Sequence, residues 1–469
     1  MVFSEPVFLF AFLPIAMALV MVGGKRFTAP MVLLTSLVFY AWGSGAIVAV
    51  LIFSIVFNWA YGRVIERNRT NAVLMIGIGV NVLLLLYYKY SYFIGLNVDE
   101  AIGTHVSDSF KSVVLPIGIS FFVFQAISYL IDIKRGDVPA ERNLIIFGAY
   151  KSFFPQLIAG PIVRFRDVGE DFHNPQISME NISAGVARFV HGLLKKVIIA
   201  DAAGAISDGC FAVHGADVTI TVAWLGALAY AIQIYFDFSA YSDMAIGLGR
   251  IFGIRFNENF MRPYSASTVT EFWRRWHISL STWFRDYVYI PLGGSRKGTI
   301  RTYRNLAIVF LVTGLWHGAA WTFVIWGLYH GAFLICEKLV FGNAAAEKKS
   351  HVLRIFYLLP VIIIGWIIFR ADSLAQAWTF MTNLFALGEL GAPLPEPVAA
   401  ALNPRTVLFF AIGLLIFVAP RGPAIGVWLA QDPTRFRVLS RVPYTAVGLI
   451  LAGVFVLSSS FSPFLYFRF

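Results

Sequence analysis

Three of the eight histidines lie within 61 residues, between Glu271 and Gly331. His277 belongs to a basic, tryptophan-rich segment, whereas His317 and His330 lie in apolar sequence further along the chain. Ionisable side chains are costly to bury at membrane depth, so they are candidates for function. Imidazole has an ordinary pKa of about 6.5 and, when buried and neutral, can remove a proton from a hydroxyl group. These histidines therefore predict an imidazole that acts as a base.

His317 and His330 each directly precede a glycine of a small-xxx-small pattern. The two patterns are Gly314-x-x-x-Gly318 and Gly327-x-x-x-Gly331. Such spacings let two helices approach closely, which would place an imidazole on the wall of a narrow, dry pocket. The alternative is a histidine that only hydrogen-bonds across the helix pair. That alternative has more weight for His330, whose role the sequence leaves open.

The segment from Thr268 to Gly294 has the pattern of an amphipathic helix. Thr268-x-x-Glu271 is a capping box, and Glu271 and Arg275 are spaced as an ion pair one turn apart. Large apolar residues recur at helical spacing along one face: Phe272, Trp276, Leu280, Trp283 and Tyr287. The pattern predicts one interfacial helix with cations available for headgroups or phosphates. A membrane-surface helix without any further role is the alternative.

Two carboxylates interrupt a long apolar run, YFDFSAYSDMAIG, at Asp237 and Asp243. Their spacing of six residues does not place them on one face of a single helical turn. One of them could lie at the membrane edge, and the other could neutralise an arginine of the basic region or orient a histidine. The sequence does not choose between these roles.

Several catalytic signatures do not occur in the sequence. It has no P-loop, no G-x-S-x-G and no H-E-x-x-H, which argues against a serine hydrolase and a metalloprotease. Its two cysteines, Cys210 and Cys336, lie far apart without metal-ligand spacing. We therefore expect no disulfide framework, no metal site and no bound cofactor.

The composition predicts an all-α polytopic membrane protein. The chain is 58% hydrophobic and only 13% charged, with repeated apolar runs long enough to cross a bilayer. We expect roughly ten to twelve transmembrane helices, with additional re-entrant and interfacial helices. No segment is long or polar enough for a separate soluble domain, so residues 1–469 are predicted to form a single integral-membrane domain.

The net charge of +11 is explained by membrane topology. Its lysines and arginines lie in short loops between apolar runs, and assigning alternate loops to the two sides places nearly every basic cluster on one face. This distribution argues against a nucleic-acid partner. Two apolar runs are also interrupted, by Pro116 and Gly118 in LPIGISFF and by Pro155 and Gly160 in FFPQLIAGPIVR, which predicts broken or re-entrant elements.

Motifs along nearly the whole chain resemble the membrane-bound O-acyltransferase superfamily, in particular the bacterial branch typified by the membrane subunit of alginate O-acetyltransferases. They are MVFSEPVFLFAFLPI, LPIGISFFVFQAISYLID, FFPQLIAGPIVRF, YFDFSAYSDMAIGLG, FWRRWHISLSTWFRDYVYIPLGG, GLWHGAAWTFVIWGLYHG and the C-terminal SFSPFLYFRF. The resemblance implies acyl transfer to a hydroxyl, with histidines lining a central funnel or tunnel through the bilayer. His317 occupies the WHG motif, and His277 occupies RRWHISLS.

This resemblance predicts an O-acetyltransferase of the bacterial inner membrane. His317 would deprotonate the acceptor hydroxyl, and His277 would position donor or acceptor or help to polarise the carbonyl. Arg274, Arg275 and Arg285 would attract the phosphates of a cytoplasmic acetyl donor, for which acetyl-CoA is expected. A covalent acetyl-histidine step is left open.

The expected final acceptor is an exported polysaccharide, reached through a periplasmic acetyltransferase or acetyl carrier. Alginate is the first expectation, and relatives of this type also acetylate cellulose or peptidoglycan or help to D-alanylate teichoic acid. A transporter of an acyl donor is a rival from another class, although no paired repeat with matching broken helices is evident. A membrane scaffold that recruits an acetylase is a third reading, in which His277 and His317 would be dispensable.

Overall fold

The computed structural model describes residues 1–389, 391–418, 425–430, 435–458 and 464, and its regular elements over those residues are all helical. The all-α prediction is therefore confirmed. Within the described residues, six helical segments are long and apolar enough to cross a membrane: Phe8–Arg67, Asn71–Ile102, Ile220–Ile251, Trp321–Phe341, His351–Arg370 and Leu439–Ser458. Pro404–Val418 is a shorter apolar helix.

The predicted total of ten to twelve spans stays a prediction. The first apolar segment, Phe8–Arg67, contains a turn at Gly45, where φ is 54°. Of the stretches quoted for the resemblance, the C-terminal SFSPFLYFRF lies outside the described residues apart from Phe464.

Nine helices precede residue 195. They are α1 Leu13–Ser44, α2 Val48–Arg67, α3 Asn71–Leu85, α4 Ser91–Ile102, α5 Ile119–Arg135, α6 Leu144–Ser152, α7 Phe154–Leu157, α8 Phe165–His173 and α9 Met179–Leu194. Short 3₁₀ and π-helical turns join several of them.

The remaining helices follow a π-helical turn at Lys195–Ala200. They are α10 Asp201–Phe211, α11 Ile220–Ile251, α12 Val269–Arg275, α13 Ile278–Phe284, α14 Thr299–His317, α15 Trp321–Phe341, α16 His351–Leu353, α17 Leu359–Arg370, α18 Leu374–Asn383, α19 Glu396–Ala401, α20 Pro404–Val418, α21 Ile425–Ala430 and α22 Arg435–Ser458.

The chain divides into two compact units. Unit 1 comprises the described parts of Met1–Val190, Ser242–Glu258 and Leu429–Val447. Unit 2 comprises those of His191–Tyr241, Asn259–Trp428 and Gly448–Phe469. Their boundaries fall inside α9, α11, α21 and α22 and in the segment between α11 and α12. The assignment of residues 1–469 to a single functional domain stays a prediction.

In unit 1 the two interrupted runs pack against each other. Helix α5 begins at Ile119, directly after Gly118, whose φ of 74° favours glycine. A Cβ atom on Gly118 would lie 2.3 Å from the carbonyl oxygen of Leu157. Leu157 ends α7, a helix of only four residues that contains Pro155. The predicted interruptions are confirmed, and each leaves main-chain atoms close to the other.

In unit 2 the predicted helix pair around His317 is confirmed as α14 and α15. A Cβ atom on Gly314 would lie 2.3 Å from the carbonyl oxygen of Phe323, and one on Gly327 would lie 2.3 Å from that of Phe310. Neither position has room for a side chain, so the two main chains touch. This close packing holds the C-terminal end of α14, where His317 lies.

Candidate active site

His317 is the last residue of α14 and is buried, with 8% of its surface exposed. Three aromatic rings contact its imidazole edge-on: Trp316 at 4.9 Å, Trp326 at 5.0 Å and Phe369 at 5.1 Å between ring centroids. Trp326 belongs to α15 and Phe369 to α17. The ring is therefore held in an apolar, aromatic surrounding that the close helix pair and α17 build together.

His277 lies between α12 and α13 and is fully buried. Its backbone is left-handed, with φ at 45° and ψ at 56°, which is uncommon for a residue other than glycine. Phe238 contacts its imidazole edge-on at 4.7 Å, and Trp316 lies 5.9 Å away. Because Trp316 also contacts His317, the structure brings the two histidines predicted to act together onto one indole ring.

The two ring nitrogens of His277 differ in their surroundings. Nδ1 lies 3.2 Å from Oδ1 of Asn259, whereas Nε2 is buried without a hydrogen-bond partner among the described residues. His277 is outside the six candidate spans, and burial lowers its pKa to about 3. The imidazole is thus neutral at physiological pH, which is the protonation state that a base or hydrogen-bond acceptor requires.

His330 joins the same aromatic cluster from α15. Its ring lies 5.1 Å from Trp326 and 5.2 Å from Trp273, and only 1% of the residue is exposed. Its Nδ1 atom has no hydrogen-bond partner among the described residues. This atom therefore does not form the hydrogen bond across the helix pair that was the alternative for His330. All three histidines singled out in the sequence therefore contact one tryptophan-rich cluster of unit 2.

The prediction of one continuous interfacial helix from Thr268 to Gly294 is wrong. Thr268 does cap α12, accepting from the amide of Glu271, and Glu271 pairs with Arg275 at 2.5 Å as expected. The helix nevertheless ends at Arg275 and a second one starts after His277.

The cause of this break is tertiary. The main-chain carbonyl of Asn259 accepts from the amide of Ile278 at 3.0 Å, and its side-chain Oδ1 accepts from the amide of Ser279 at 3.1 Å. Asn259 thereby provides partners for the first amides of α13, which would otherwise have none. The predicted apolar face is also buried inside unit 2: Phe272, Trp276, Leu280, Trp283 and Tyr287.

The three arginines expected to bind donor phosphates have different surroundings. Arg275 is bonded to Glu271 and to the hydroxyl of Ser265, so much of its charge is already neutralised. Arg285 pairs with Asp286 at 2.8 Å but stays 60% exposed. Arg274 is exposed and forms no ion pair with any residue that the structure describes. A phosphate-binding role for these residues stays a prediction, and Arg274 suits it best.

Asp237 and Asp243 are both buried and both paired with cations that the sequence analysis did not single out for them. In unit 2, Asp237 lies 2.8 Å from Nζ of Lys196. In unit 1, Asp243 lies 2.5 Å from the guanidinium of Arg188. The arginine does not come from the expected basic region after residue 250. Asp243 therefore does neutralise an arginine, although not one of the basic region, and a position of either carboxylate at the membrane edge stays a prediction.

Sequence reasoning missed Asn259 and the aromatic partners of the histidines. Asn259 is 18 residues before His277 and carries no local signal of its contacts. Among the described residues, no group of three or more histidine, cysteine, aspartate or glutamate side chains could hold a metal ion.

A sequence profile of the membrane-bound O-acyltransferase family matches residues 139–374, which include the two histidines of the candidate site. The chain belongs to this family. It is an O-acyltransferase and a multi-pass protein of the bacterial inner membrane. The apolar helices and the bacterial relatives support this location.

Individual relatives align over most or all of the chain. A probable alginate O-acetylase of Pseudomonas putida is 42% identical over 489 residues, and one of Azotobacter vinelandii is 42% identical over 502 residues. Each alignment covers 100% of both chains. The peptidoglycan O-acetyltransferase of Helicobacter pylori is 34% identical over 436 residues, covering 82% of this chain and 80% of its own. The relatives thus share O-acetylation and differ in the polymer named.

Proposed function

We propose that this O-acyltransferase passes acetyl groups from a cytoplasmic donor across the inner membrane for O-acetylation of exported alginate. Support comes from the relatives named as probable alginate O-acetylases, which align with the whole chain at 42% identity. Peptidoglycan is the second candidate polymer, since the Helicobacter pylori peptidoglycan O-acetyltransferase also aligns over most of the chain. Cellulose acetylation and donor transport without chemistry have no comparable support.

The proposed donor is acetyl-CoA. In the reaction a hydroxyl oxygen forms a bond to the acetyl carbonyl carbon, the carbon–sulfur bond breaks, and the thiol leaves with the proton that the hydroxyl gave up. The phosphates of this donor carry negative charge, and the exposed guanidinium of Arg274 is suited to attract them. Arg275 and Arg285 would add to this attraction only where their carboxylate partners leave charge uncompensated.

His317 is the proposed general base. Its imidazole would take the proton of the acceptor hydroxyl and later return it to the thiolate. The observation that carries this role is the shared contact of His317 and His277 with Trp316, because it brings two imidazoles to one buried place in a family of acyltransferases. The aromatic walls from Trp326 and Phe369 would exclude water that competes with the acceptor.

His277 is the proposed positioning partner. Nδ1 of His277 faces the side-chain oxygen Oδ1 of Asn259, which can only accept a hydrogen bond. The proton of the neutral imidazole is therefore on Nδ1, and Nε2 has a lone pair. A lone pair can accept a hydrogen bond from a hydroxyl but cannot polarise a carbonyl. Of the two roles considered for His277, positioning the acceptor therefore fits better than polarising the thioester carbonyl. The hydrogen bond to Nε2 comes from a donor group of the acceptor other than the reacting hydroxyl, whose one proton goes to His317.

The acetyl group is proposed to pass to a periplasmic acetyltransferase or acetyl carrier, which completes transfer to the polysaccharide. Direct transfer and a covalent acetyl-histidine intermediate are both compatible with neutral imidazoles. They differ in one respect: an intermediate would leave acetyl on the protein when donor is supplied without acceptor. Mass spectrometry of protein incubated with acetyl-CoA alone separates the two routes.

The decisive test is His317→Ala in purified protein supplied with acetyl-CoA, with release of the free thiol as the measurement. We expect a loss of turnover of about 10²- to 10⁴-fold, the usual contribution of a positioned base. His351→Ala is the matched control, because His351 is exposed in unit 2 and has no proposed role. Normal turnover and normal polymer acetylation in His317→Ala would refute the enzyme's assigned base and favour a scaffold.

A further inference from the structure

Asn259 is fully buried at the start of the second part of unit 2 and contacts three successive residues around the bend. Its main-chain carbonyl accepts a hydrogen bond from the amide of Ile278. Its side-chain Oδ1 accepts hydrogen bonds from the amide and the hydroxyl of Ser279, at 3.1 Å and 2.8 Å. The same oxygen lies 3.2 Å from Nδ1 of His277. One amide side chain therefore connects the bend to the imidazole.

The orientation of this amide follows from its partners. A backbone N–H can only donate, so the Asn259 atom bonded to the Ser279 amide must be the oxygen and not the nitrogen of the side chain. The same atom faces the imidazole. The choice between the two orientations of the amide is thus made by the main chain of α13.

The orientation in turn decides which imidazole nitrogen carries the proton. A carbonyl oxygen can only accept, so Nδ1 of His277 must be the donor. The hydroxyl of Ser279 lies 3.4 Å from the same nitrogen. Because that hydroxyl donates its hydrogen to Asn259, it too presents an acceptor to the ring. Both polar neighbours of Nδ1 therefore favour the same tautomer.

The other nitrogen, Nε2, is left with a lone pair in a buried position. It has no hydrogen-bond partner among the described residues, and leaving a buried polar atom unpaired is unfavourable. Phe238 and Phe260 flank the ring, with centroids at 4.7 Å and 6.4 Å, so it cannot turn over freely. Among the described residues, hydrogen bonds thus hold this ring at one nitrogen only.

We propose that Asn259 is a positioning residue, which with Ser279 locks His277 in the tautomer whose Nε2 accepts a hydrogen bond from the acceptor. The donor of that bond is a group other than the reacting hydroxyl, because the one proton of the reacting hydroxyl goes to His317. The proposal rests on the function proposed above and refines it. It explains why a residue in a strained left-handed conformation lies where Asn259 can reach both its ring and the following amides. Asn259 itself need not touch either substrate.

The first test compares Asn259→Leu with Asn259→Asp in the purified full-length protein with acetyl-CoA. Asn259→Leu removes the acceptor, and we expect kcat to fall about 10- to 100-fold, the scale seen when the partner that orients a metal-bound histidine is removed. KM for acetyl-CoA should stay unchanged. Asn259→Asp keeps an acceptor oxygen and should restore turnover to within about 5-fold of the wild type. Equal loss in both variants, or full activity in Asn259→Leu, would overturn the proposal.

The second test does not depend on turnover. Nitrogen NMR of protein with ¹⁵N-labelled histidine, with the His277 signal identified by its loss in His277→Gln, reports which nitrogen is protonated. We expect a proton on Nδ1 and none on Nε2 at neutral pH, in the wild type and in Asn259→Asp. A proton on Nε2 in the wild type would refute the tautomer lock even if His317→Ala is inactive. If the wild type shows the expected tautomer but does not turn over the thioester, the proposed function is refuted and the assignment of the tautomer is not.

Ser279→Ala serves where Asn259→Leu does not fold. It removes one donor to Asn259 while keeping the backbone amide that orients the side chain. We expect the same tautomer in the NMR spectrum and a decrease of kcat of about 2- to 10-fold, which corresponds to one ordinary hydrogen bond. A switch of the proton to Nε2 in this variant would contradict the assignment of Asn259 as the principal partner.

Discussion

In unit 1, Arg188 is buried between two carboxylates, whereas in unit 2, His277 is buried and its Nε2 atom bonds to none of the described residues. Arg188 contacts Asp243 at 2.5 Å and Glu258 at 2.7 Å. Burial alone would lower the pKa of Arg188, but the two carboxylates outweigh it and raise the pKa above its ordinary value. The charge is therefore retained and compensated. His277 is instead uncharged, and its Nε2 atom has no hydrogen-bond partner in the part of the chain that the structure describes.

The difference separates two uses of a buried polar group. A cation whose hydrogen bonds go to protein carboxylates has little left for a substrate, and its removal would leave buried negative charge behind. An imidazole with an unpaired nitrogen contributes less to stability but keeps the capacity to bind a hydroxyl. We therefore expect the Arg188 cluster to support folding and the His277 cluster to support catalysis.

The largest expected effect is the loss of folding in Arg188→Met. Removing this guanidinium takes away the cation that compensates the buried carboxylate of Asp243, and breaking a buried ion pair in this way costs about 3–5 kcal/mol. We expect poor recovery of monodisperse protein and a strongly lowered apparent Tm, measured by size-exclusion chromatography and thermal unfolding. The double variant Arg188→Met/Asp243→Leu should recover part of the loss, because Glu258 is partly exposed and can be hydrated. A greater loss of stability in His277→Gln than in Arg188→Met would contradict the comparison.

The next effect, which is smaller than that of Arg188→Met near neutral pH, is expected from acidification. The pKa of His277 is lowered to about 3 in the folded protein, whereas its ordinary value is about 6.5. Between these values the unfolded chain binds a proton that the folded protein does not, so stability falls as the pH decreases from about 6.5 toward 3. Above that window His277 contributes no pH dependence. Thermal unfolding across this range should show a shallower decline in His277→Gln than in wild type.

The control for this prediction is His351→Gln, which replaces an exposed histidine of unit 2. Carboxylates also titrate in the same range, so the informative quantity is the difference in slope between each variant and the wild type. An unchanged slope in His277→Gln would mean that the folded protein binds the proton as readily as the unfolded chain. That result would contradict a buried, neutral imidazole.

The smallest effect concerns a cation at the surface. Arg274 is exposed and not paired with a described residue, so its charge is available to donor phosphates. We expect Arg274→Ala to raise KM for acetyl-CoA about 3- to 10-fold with kcat unchanged, since the contact would be the same in ground and transition states. The increase should shrink when salt is added. Lys25→Ala, which removes an exposed cation in unit 1, should leave KM unchanged.

Local patterns predicted much of the site. The cap at Thr268 and the close approach at Gly314 each depend on residues within one or two turns of a helix or on glycine spacing, and both were found as expected. The membrane character followed from apolar runs, since a bilayer requires them. The three histidines were also found together, at one aromatic cluster.

The contacts that the sequence did not predict join residues far apart in the chain. The break before His277 is caused by Asn259, and the partner of Asp243 is Arg188, which is 55 residues away. The helical spacing of apolar residues continues through the break. This spacing depends on which side chains are apolar and does not indicate which atoms accept hydrogen bonds from the backbone amides. Such tertiary hydrogen bonds override local propensity, and nothing in the neighbouring residues indicates them.

The contact between α14 and α15 limits which substitutions this hairpin tolerates. At Gly314 and Gly327 a carbonyl oxygen of the opposite helix occupies the place of a methyl group, so even alanine would push the two main chains apart. His317 follows Gly314 by less than one helical turn and would move with it. The position of this imidazole therefore depends on the distance between the two backbones. To change the acceptor specificity of the enzyme, it is better to substitute the surrounding aromatic residues than either glycine.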